Sequence, residues 1–287
     1  MSSASTSKIT STLPNGTTKN YFLKTGNGQA AEIMFAGEHA SLNALHNAVP
    51  SLCPRSYGWG KFAEGSGHSF LVTDFLNLSG RGESGGKGNA MSLAQKMAKL
   101  HTTPAPIPDG YDKPMYGFAV PTCCGDTPQD NTFTESWADF YVERRLRFIL
   151  ERAEKRNGKD EELAQLVEKT ASKVVPRLLR EGHLGGKEGI KPVAVHGDLW
   201  SGNASRGTIM DGGEEEERGV QDVVYDSSAC YAHSEYELGI QKMLGGFGSA
   251  FFTEYHKLCP KTEPVEEYED RISLYELYVL WCILVLL

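Results

Sequence analysis

Between Val195 and Asn203 the chain reads Val-His-Gly-Asp-Leu-Trp-Ser-Gly-Asn, gathering a histidine, an aspartate and an asparagine around two glycines. Asp198 and Asn203 stand five residues apart. At that spacing a carboxylate can accept the proton of a reacting hydroxyl, and the amide can return to the same cleft to hold a metal ion. A second acidic strand end, Val223-Val-Tyr-Asp226, follows after a connection long enough for a hairpin and offers another metal ligand. A lone His-x-Asp is explained equally well by a structural turn, but the three features together point to phosphoryl transfer. That chemistry also needs a lysine on the α/β-phosphates, oriented by a helix glutamate. Lys24 closes the apolar stretch Tyr21-Phe-Leu-Lys24, and Glu38 falls mid-helix fourteen residues later. Taken singly each reads as a solvated surface residue; beside the Asp198 motif they read as a pair.

The elements that must position these residues are visible in the hydrophobic pattern. Lys8 to Leu13 alternates, Pro14-Asn-Gly-Thr17 supplies turn chemistry, and Tyr21 to Lys24 is a second strand, so residues 8 to 24 predict a hairpin. Ala30 to Ala48 predicts a helix, with Met34, Glu38, Leu42 and Leu45 at helical spacing and Pro50 just beyond. Ser69 to Leu76 predicts a strand. Ser79 to Gly88, rich in Gly and Ser, predicts a link between two lobes; it lacks the Gly-Lys-Ser/Thr ending of a phosphate loop. Helices are predicted over Met91–His101, Phe133–Arg156 and Glu161–Glu181, and later over Glu235–Leu244, Ser249–Leu258 and from Glu267 onward. Trp137, Phe140, Tyr141 and Phe148 form one core-facing stripe. Val193–Val195 and Val220–Tyr225 predict short strands around a polar insert, whose run Glu214–Glu217 predicts a solvated hairpin tip. The sum is an α+β fold: a small β-rich N-terminal lobe over residues 1–76 and a larger, mostly helical lobe over 77–287.

Composition excludes other classes. The net charge of −8 and the lack of a long Lys/Arg run argue against gripping a phosphate backbone, so no nucleic acid is expected. None of the six cysteines lies in a C-x-x-C pair, which predicts reduced thiols in a cytoplasmic protein rather than a zinc site or a disulfide framework. The apolar run Leu277–Leu287 is eleven residues long against the ~20 of a spanning helix, so it predicts the end of a core helix and no membrane partner.

Protein kinases keep the same Asp–Asn separation in their catalytic loop and a magnesium-binding aspartate where Asp226 stands. More closely, His196-Gly-Asp-Leu-Trp-Ser-Gly-Asn203 followed by Tyr225-Asp-Ser-Ser-Ala-Cys-Tyr-Ala-His-Ser-Glu-Tyr-Glu-Leu238 resembles the fructosamine (ketosamine, or protein-ribulosamine) 3-kinase family of aminoglycoside-phosphotransferase-like kinases. The likeness extends to Tyr21–Lys24, Met34–Leu42, Thr122–Gly125 with Pro128-Gln129, Gly245–Gly248 and Phe251–His256, from about Ser5 to Tyr278. It implies a two-lobed kinase fold with its hinge near Val72 to Leu76, where backbone around Asp74 and Leu76 would bind the adenine of ATP. Lys24 and Glu38 would hold the α/β-phosphates, Asp198 would be the base, Asn203 and Asp226 would bind Mg2+, and Trp200 would line the sugar pocket. The implied reaction is ATP-dependent phosphorylation of the 3-hydroxyl of ketosamines on proteins or small amines, which leads to deglycation. Where the family has a glycine-rich phosphate loop before its Lys8–Thr10 equivalent, Met1–Ser7 carries no glycine.

Three rival readings follow from the same residues. A non-catalytic pseudokinase would bind nucleotide without turning it over. A kinase for another alcohol, such as an aminoglycoside or choline, would want a strongly acidic pocket. A metallohydrolase on His196, Asp198 and Asp226 would want more histidine ligands.

Overall fold

The turn residues Pro14 to Thr17 do fold into a hairpin: β1 (Ser5–Thr12) and β2 (Thr18–Asn27) run antiparallel with Thr12 opposite Thr18, and Gly16 takes the positive φ that the turn requires. The structure is a computed structural model that describes residues 4–63, 67–79, 90–125, 127–210 and 219–286. The expected inter-lobe link and the Glu214–Glu217 tip lie, for the most part or wholly, outside the described residues.

After β2, the chain turns at Gly28 into α1 (Gly28–Ala48), then β3 (Ser56–Lys61) and β4 (His68–Leu78). β4 is the spine of the sheet. It pairs with β2, with Lys24 opposite Leu71, with β3, and, over Phe75 to Leu78, with β8 (Ala204–Met210). β8 pairs in turn with β9 (Gln221–Val224), so the sheet reads β1-β2-β4-β8-β9 with β3 beside β4. Ala31, Phe35 and Leu71 seal α1 against this sheet.

The helical part begins with α2 (Leu93–Thr102), closed at its start by a capping box between Ser92 and Gln95. Two short strands, β5 (Cys123–Cys124) and β6 (Thr127–Pro128), precede α3 (Trp137–Tyr141), a π-helical turn over Val142–Arg147 and α4 (Phe148–Asn157). The helix expected from Phe133 starts four residues later, because Thr134 is held extended by a bridge to Tyr116 and Ser136 is the N-cap. The π turn inserts a residue into the helical register. Trp137, Phe140 and Tyr141 are buried as the stripe predicts, but Phe148 falls out of phase and Ile149 takes the core position. α5 (Glu161–Lys169), a second π turn (Thr170–Val174) and α6 (Val175–Leu179) follow, ending two residues short of the expected Glu181.

β7 (Val193–Val195) pairs with β10 (Cys230–Ala232), and α7 (Ser234–Leu244), α8 (Ser249–Leu258) and α9 (Tyr268–Leu286) complete the chain. The apolar C-terminal run continues α9, in which Tyr275, Tyr278 and Cys282 are buried against Trp137, Tyr141 and Tyr236 while Leu280 is exposed. Among the described residues no helix is long and apolar enough to cross a membrane, and all six cysteines are unbridged.

Candidate active site

The segment from His196 to Asn203 leaves β7 and is bent into place by a glycine that nothing else could replace. Gly197 has φ +80°, and a Cβ there would lie 1.9 Å from the Ser228 carbonyl oxygen. The next strand end is therefore pressed directly on the loop, and Ser228 N–H donates to His196 O at 2.8 Å. His196 is fully buried. Its Nε2 meets the Tyr225 carbonyl at 3.0 Å and its Nδ1 accepts from Asp198 N–H at 3.3 Å, a pairing that fixes one neutral tautomer. Burial lowers its pKa further. His196 thus braces the loop through both ring nitrogens.

Asp198 stands at the turn that this brace creates. Asn203 Nδ2 donates to both its carbonyl and Oδ2 at 2.9 Å. Burial is the main cause that pushes the Asp198 carboxyl up to about 7, with the charges of Glu237 and Asp226 adding to it and the Asn203 bond opposing. A carboxylate poised near neutrality is suited to accept a proton.

Lys24 and Glu38, remote in sequence, meet across the sheet and helix. Lys24 Nζ donates to Glu38 Oε1 and Oε2 at 2.7 and 2.9 Å and to Asp226 Oδ1 at 2.5 Å. Burial alone would lower the lysine pKa, but the two carboxylates outweigh it and raise it. Glu38 sits beside Gly37, whose missing side chain lets α1 approach the backbone of Pro121 and Thr122; a Cβ would lie 2.7 Å from Pro121 O. One turn on, Ser41 Oγ accepts from Ala229 N–H at 2.9 Å, tying α1 to the segment that follows Asp226. Asp226 holds φ +58°, unusual for a non-glycine residue, and its side chain is 50% exposed.

Asp198, Asn203, Asp226, Lys24 and Glu38 are thus brought into one linked constellation. Trp200 follows Asp198 on the loop, 38% exposed. Asp74 and Leu76 lie at the far end of β4. The Asp74 side chain is buried in a separate cluster, accepting from Tyr57 Oη at 2.6 Å and paired with Lys19 at 3.2 Å, and its N–H is spent on Arg55 O. Its carbonyl accepts from Thr73 Oγ1 at 3.0 Å. Leu76 pairs with Ile209 of β8.

Two partners of the loop have no signal in the motif spacing. Glu237 of α7, wholly buried, accepts from the backbone N–H groups of His196 and Gly197. Burial would push its carboxyl up, but His101, His196 and those N–H groups hold it below the usual glutamate range. His101 Nε2 lies 3.9 Å away, an ion-pair distance too long for a hydrogen bond. Gln129, from the Pro128-Gln129 dipeptide, accepts from Ser228 Oγ at 3.3 Å and donates to Tyr278 Oη at 2.7 Å, joining the loop's backing to α9.

Among the described residues no three His, Cys, Asp or Glu side chains converge as a metal cluster. The oxygen donors beside Asp198 are the carboxylate of Asp226 and the Oδ1 of Asn203, whose Nδ2 already serves Asp198. So small a set of hard donors fits a magnesium ion that keeps phosphates and waters as its other ligands.

An antiparallel sheet over a helical body, with this constellation between them, defines the aminoglycoside-phosphotransferase and protein-kinase-like fold. A candidate fructosamine-3-kinase from Thermobifida fusca superposes with a TM-score of 0.68 at 21% identity, covering 97% of this chain and 85% of that one. The aminoglycoside phosphotransferase APH(4)-Ia, in ternary complex with ADP and hygromycin B, superposes with a TM-score of 0.51 at 13% identity over 98% of this chain and 89% of its own. The family follows from sequence. The Fructosamine kinase family model matches residues 2–286, and the chain belongs to that family. Mouse ketosamine-3-kinase is 30% identical over 275 residues, which cover 90% of this chain and 79% of the mouse protein. The chloroplastic protein-ribulosamine 3-kinase of indica rice is 32% identical over 256 residues, 89% of this chain and 65% of the rice protein.

Proposed function

We propose that this chain transfers the γ-phosphoryl group of ATP to the 3-hydroxyl of a ketosamine, on a glycated protein or a small amine. The observation that carries the reading is the Asp198 carboxyl, raised to about 7 and held by Asn203, in a cleft that also gathers the Lys24–Glu38 pair and Asp226. In this reading the acceptor oxygen attacks the γ-phosphorus, Asp198 takes the hydroxyl proton, and ADP leaves. Lys24, oriented by Glu38, neutralises the α/β-phosphates once nucleotide replaces its contact to Asp226. Asn203 and Asp226 would hold Mg2+, which supplies charge neutralisation at the phosphate oxygens. The backbone around Asp74 and Leu76 would receive the adenine, and Trp200 would offer its exposed ring to the sugar. The chemistry asks for positioning and charge, which these groups supply without a covalent intermediate. The resulting 3-phosphate is unstable and breaks down to release the amine. The unbridged cysteines suit a reducing, cytoplasmic setting.

The test is phosphate transfer from ATP to fructosyl-lysine and to ribulosyl-lysine, as free amines and on a glycated protein. We expect transfer to at least one, with Asp198→Ala below about 1% of the wild-type kcat while nucleotide binding is kept. ATP binding with no transfer to either sugar would favour the pseudokinase reading instead.

A further inference from the structure

Two glycines bear on the exposed face of the loop around Trp200, and the chemistry above uses neither. A Cβ on Gly202 would lie 2.2, 2.4 and 2.6 Å from Cη2, Cζ2 and Cζ3 of the Trp200 indole. A Cβ on Gly246 would lie 2.1 Å from Ser201 Cβ and 2.6 Å from its Oγ. Both distances are well under the 3.0 Å that real Cβ atoms respect, and Gly246 also has φ +92°. The six-membered ring of Trp200 therefore rests on the backbone of Gly202, and the segment after α7 rests on Ser201.

Both seats are firmly backed. Trp200 N–H donates to Asp198 O at 3.2 Å and Asn203 N–H donates to Trp200 O at 2.9 Å, so the Trp200 backbone is bound to the two residues placed at the reaction centre. The segment that carries Gly246 joins α7, whose Glu237 pins the start of the loop, to α8. Phe247 packs on Phe251 at 5.1 Å between ring centroids, and Phe251 stacks on Tyr255, which is buried in the core. Ser201 thus lies between the loop and a segment rooted in the core.

We propose that Gly202 and Gly246 are positioning residues for the acceptor. Gly246 lets a core-anchored segment press on Ser201, Gly202 gives the indole a flat seat, and together they set the height at which the ring stands beside Asp198. The ligand that senses this height is one with an apolar C–H face, such as a sugar, which gains by lying on an aromatic ring. ATP, placed at β4 and Lys24, does not sense it. This inference rests on the proposed reaction and adds to it the device that sets acceptor binding.

The experiment pairs steady-state kinetics with 19F NMR of full-length protein labelled with 5-fluorotryptophan, the Trp200 resonance being assigned by Trp200→Phe. Gly246→Ala is expected to raise the ketosamine KM about tenfold with the ATP KM within about twofold, and to shift the Trp200 resonance. Ser201→Gly on that background removes the atoms that the new methyl meets, and is expected to restore most of the KM and the resonance. Gly202→Ala, acting on the ring directly, should give the same kinetic split and serves if Gly246→Ala folds poorly. An unmoved Trp200 resonance in both alanine variants would overturn the inference. So would equal rises in acceptor and ATP KM that Ser201→Gly does not reverse. If the wild type phosphorylates no ketosamine, the functional reading falls on that result alone, while the resonances still decide whether the glycines position Trp200.

Discussion

A carboxyl held near 7 inside a cleft costs the fold something and gives it a reactive group in return. Asp198 shows both effects, with opposite dependence on pH. In the proposed reaction Asp198 is a base only when ionised, so kcat/KM should fall as pH drops through about 7, with an acid limb that Asp198→Asn removes along with the activity. For stability the sign reverses. The folded pKa, about 7, exceeds the ordinary 3.8, so the native state binds the proton more tightly than the unfolded chain and stability declines as pH rises between those values. Asp198→Asn should therefore melt above the wild type at pH 8 and level with it near pH 4, read by thermal denaturation at both. A variant that is inactive yet less stable at pH 8 would show that the charge is not buried at a cost. The Asp198–Asn203 contact was legible in the sequence because both residues and the bend at Gly197 lie in one string. Lys24 and Glu38 were legible because a strand–helix spacing stands in for their contact. Glu237 was not, since a carboxylate that accepts from backbone N–H groups forty residues away leaves no spacing rule to find. Nor did Asp74 betray that its side chain turns into a Lys19–Tyr57 cluster, because that contact depends on the register of β2, β3 and β4.

At the scale of elements, α7 matters more than its polar sequence suggests. It carries Glu235, Glu237 and Gln241, each almost fully buried, where an amphipathic reading would put solvent. Glu235 receives Arg271 Nε at 2.7 Å, which locks α7 to α9, and Glu237 holds the loop. Glu237→Gln keeps the volume and one oxygen acceptor, but it removes the charge and puts an amide NH2 where the second carboxylate oxygen accepts from Gly197 N–H. The expected loss is about 2 kcal/mol, read as a lower urea midpoint, together with a fall in kcat at unchanged ATP affinity. Unaltered stability would mean that solvent or another group can serve those donors. The helices were readable to within a few residues because their apolar faces recur at helical period. β3 and β8 escaped because neither carries a run of apolar residues, and β10 because it has only three residues: Ser-Tyr-Gly-Trp-Gly-Lys looks like a loop until Gly60 is found under the ring of Phe70. The π turn in the α3–α4 helix was invisible for a related reason, since a one-residue register shift leaves the apolar count unchanged and only moves Phe148 aside for Ile149.

For the whole molecule, the question is how the N-terminal sheet and the helical body are held as one unit. β4 continues past residue 76 into its pairing with β8, so the sheet itself passes from one part to the other. Where they meet, Lys96 of α2 is fully buried, and its Nζ donates to Ser51 O at 2.6 Å, Gln221 Oε1 at 2.9 Å and Asp222 O at 2.6 Å. One ammonium thus joins the connection after α1, the helix α2 and the strand β9, with no direct carboxylate partner among the described residues. Burial lowers its pKa to about 8, against the pull of the nearby Asp222 charge. The native lysine then sheds its proton near pH 8 while the unfolded one keeps it to about 10.5, so the unfolded chain binds more protons in that window and stability rises with pH through it. Other groups titrate there too, and Lys96→Met isolates the contribution, because every other ionisation is shared. The variant loses three hydrogen bonds and leaves three buried oxygens to be satisfied, so it should be less stable than the wild type at pH 8. The gap should widen toward pH 10.5 by up to about 3 kcal/mol, measured by urea denaturation at fixed ionic strength. A gap that stays constant across that range would mean that the three oxygens keep the ammonium charged, and that the two parts are joined by a buried cation rather than by an amine.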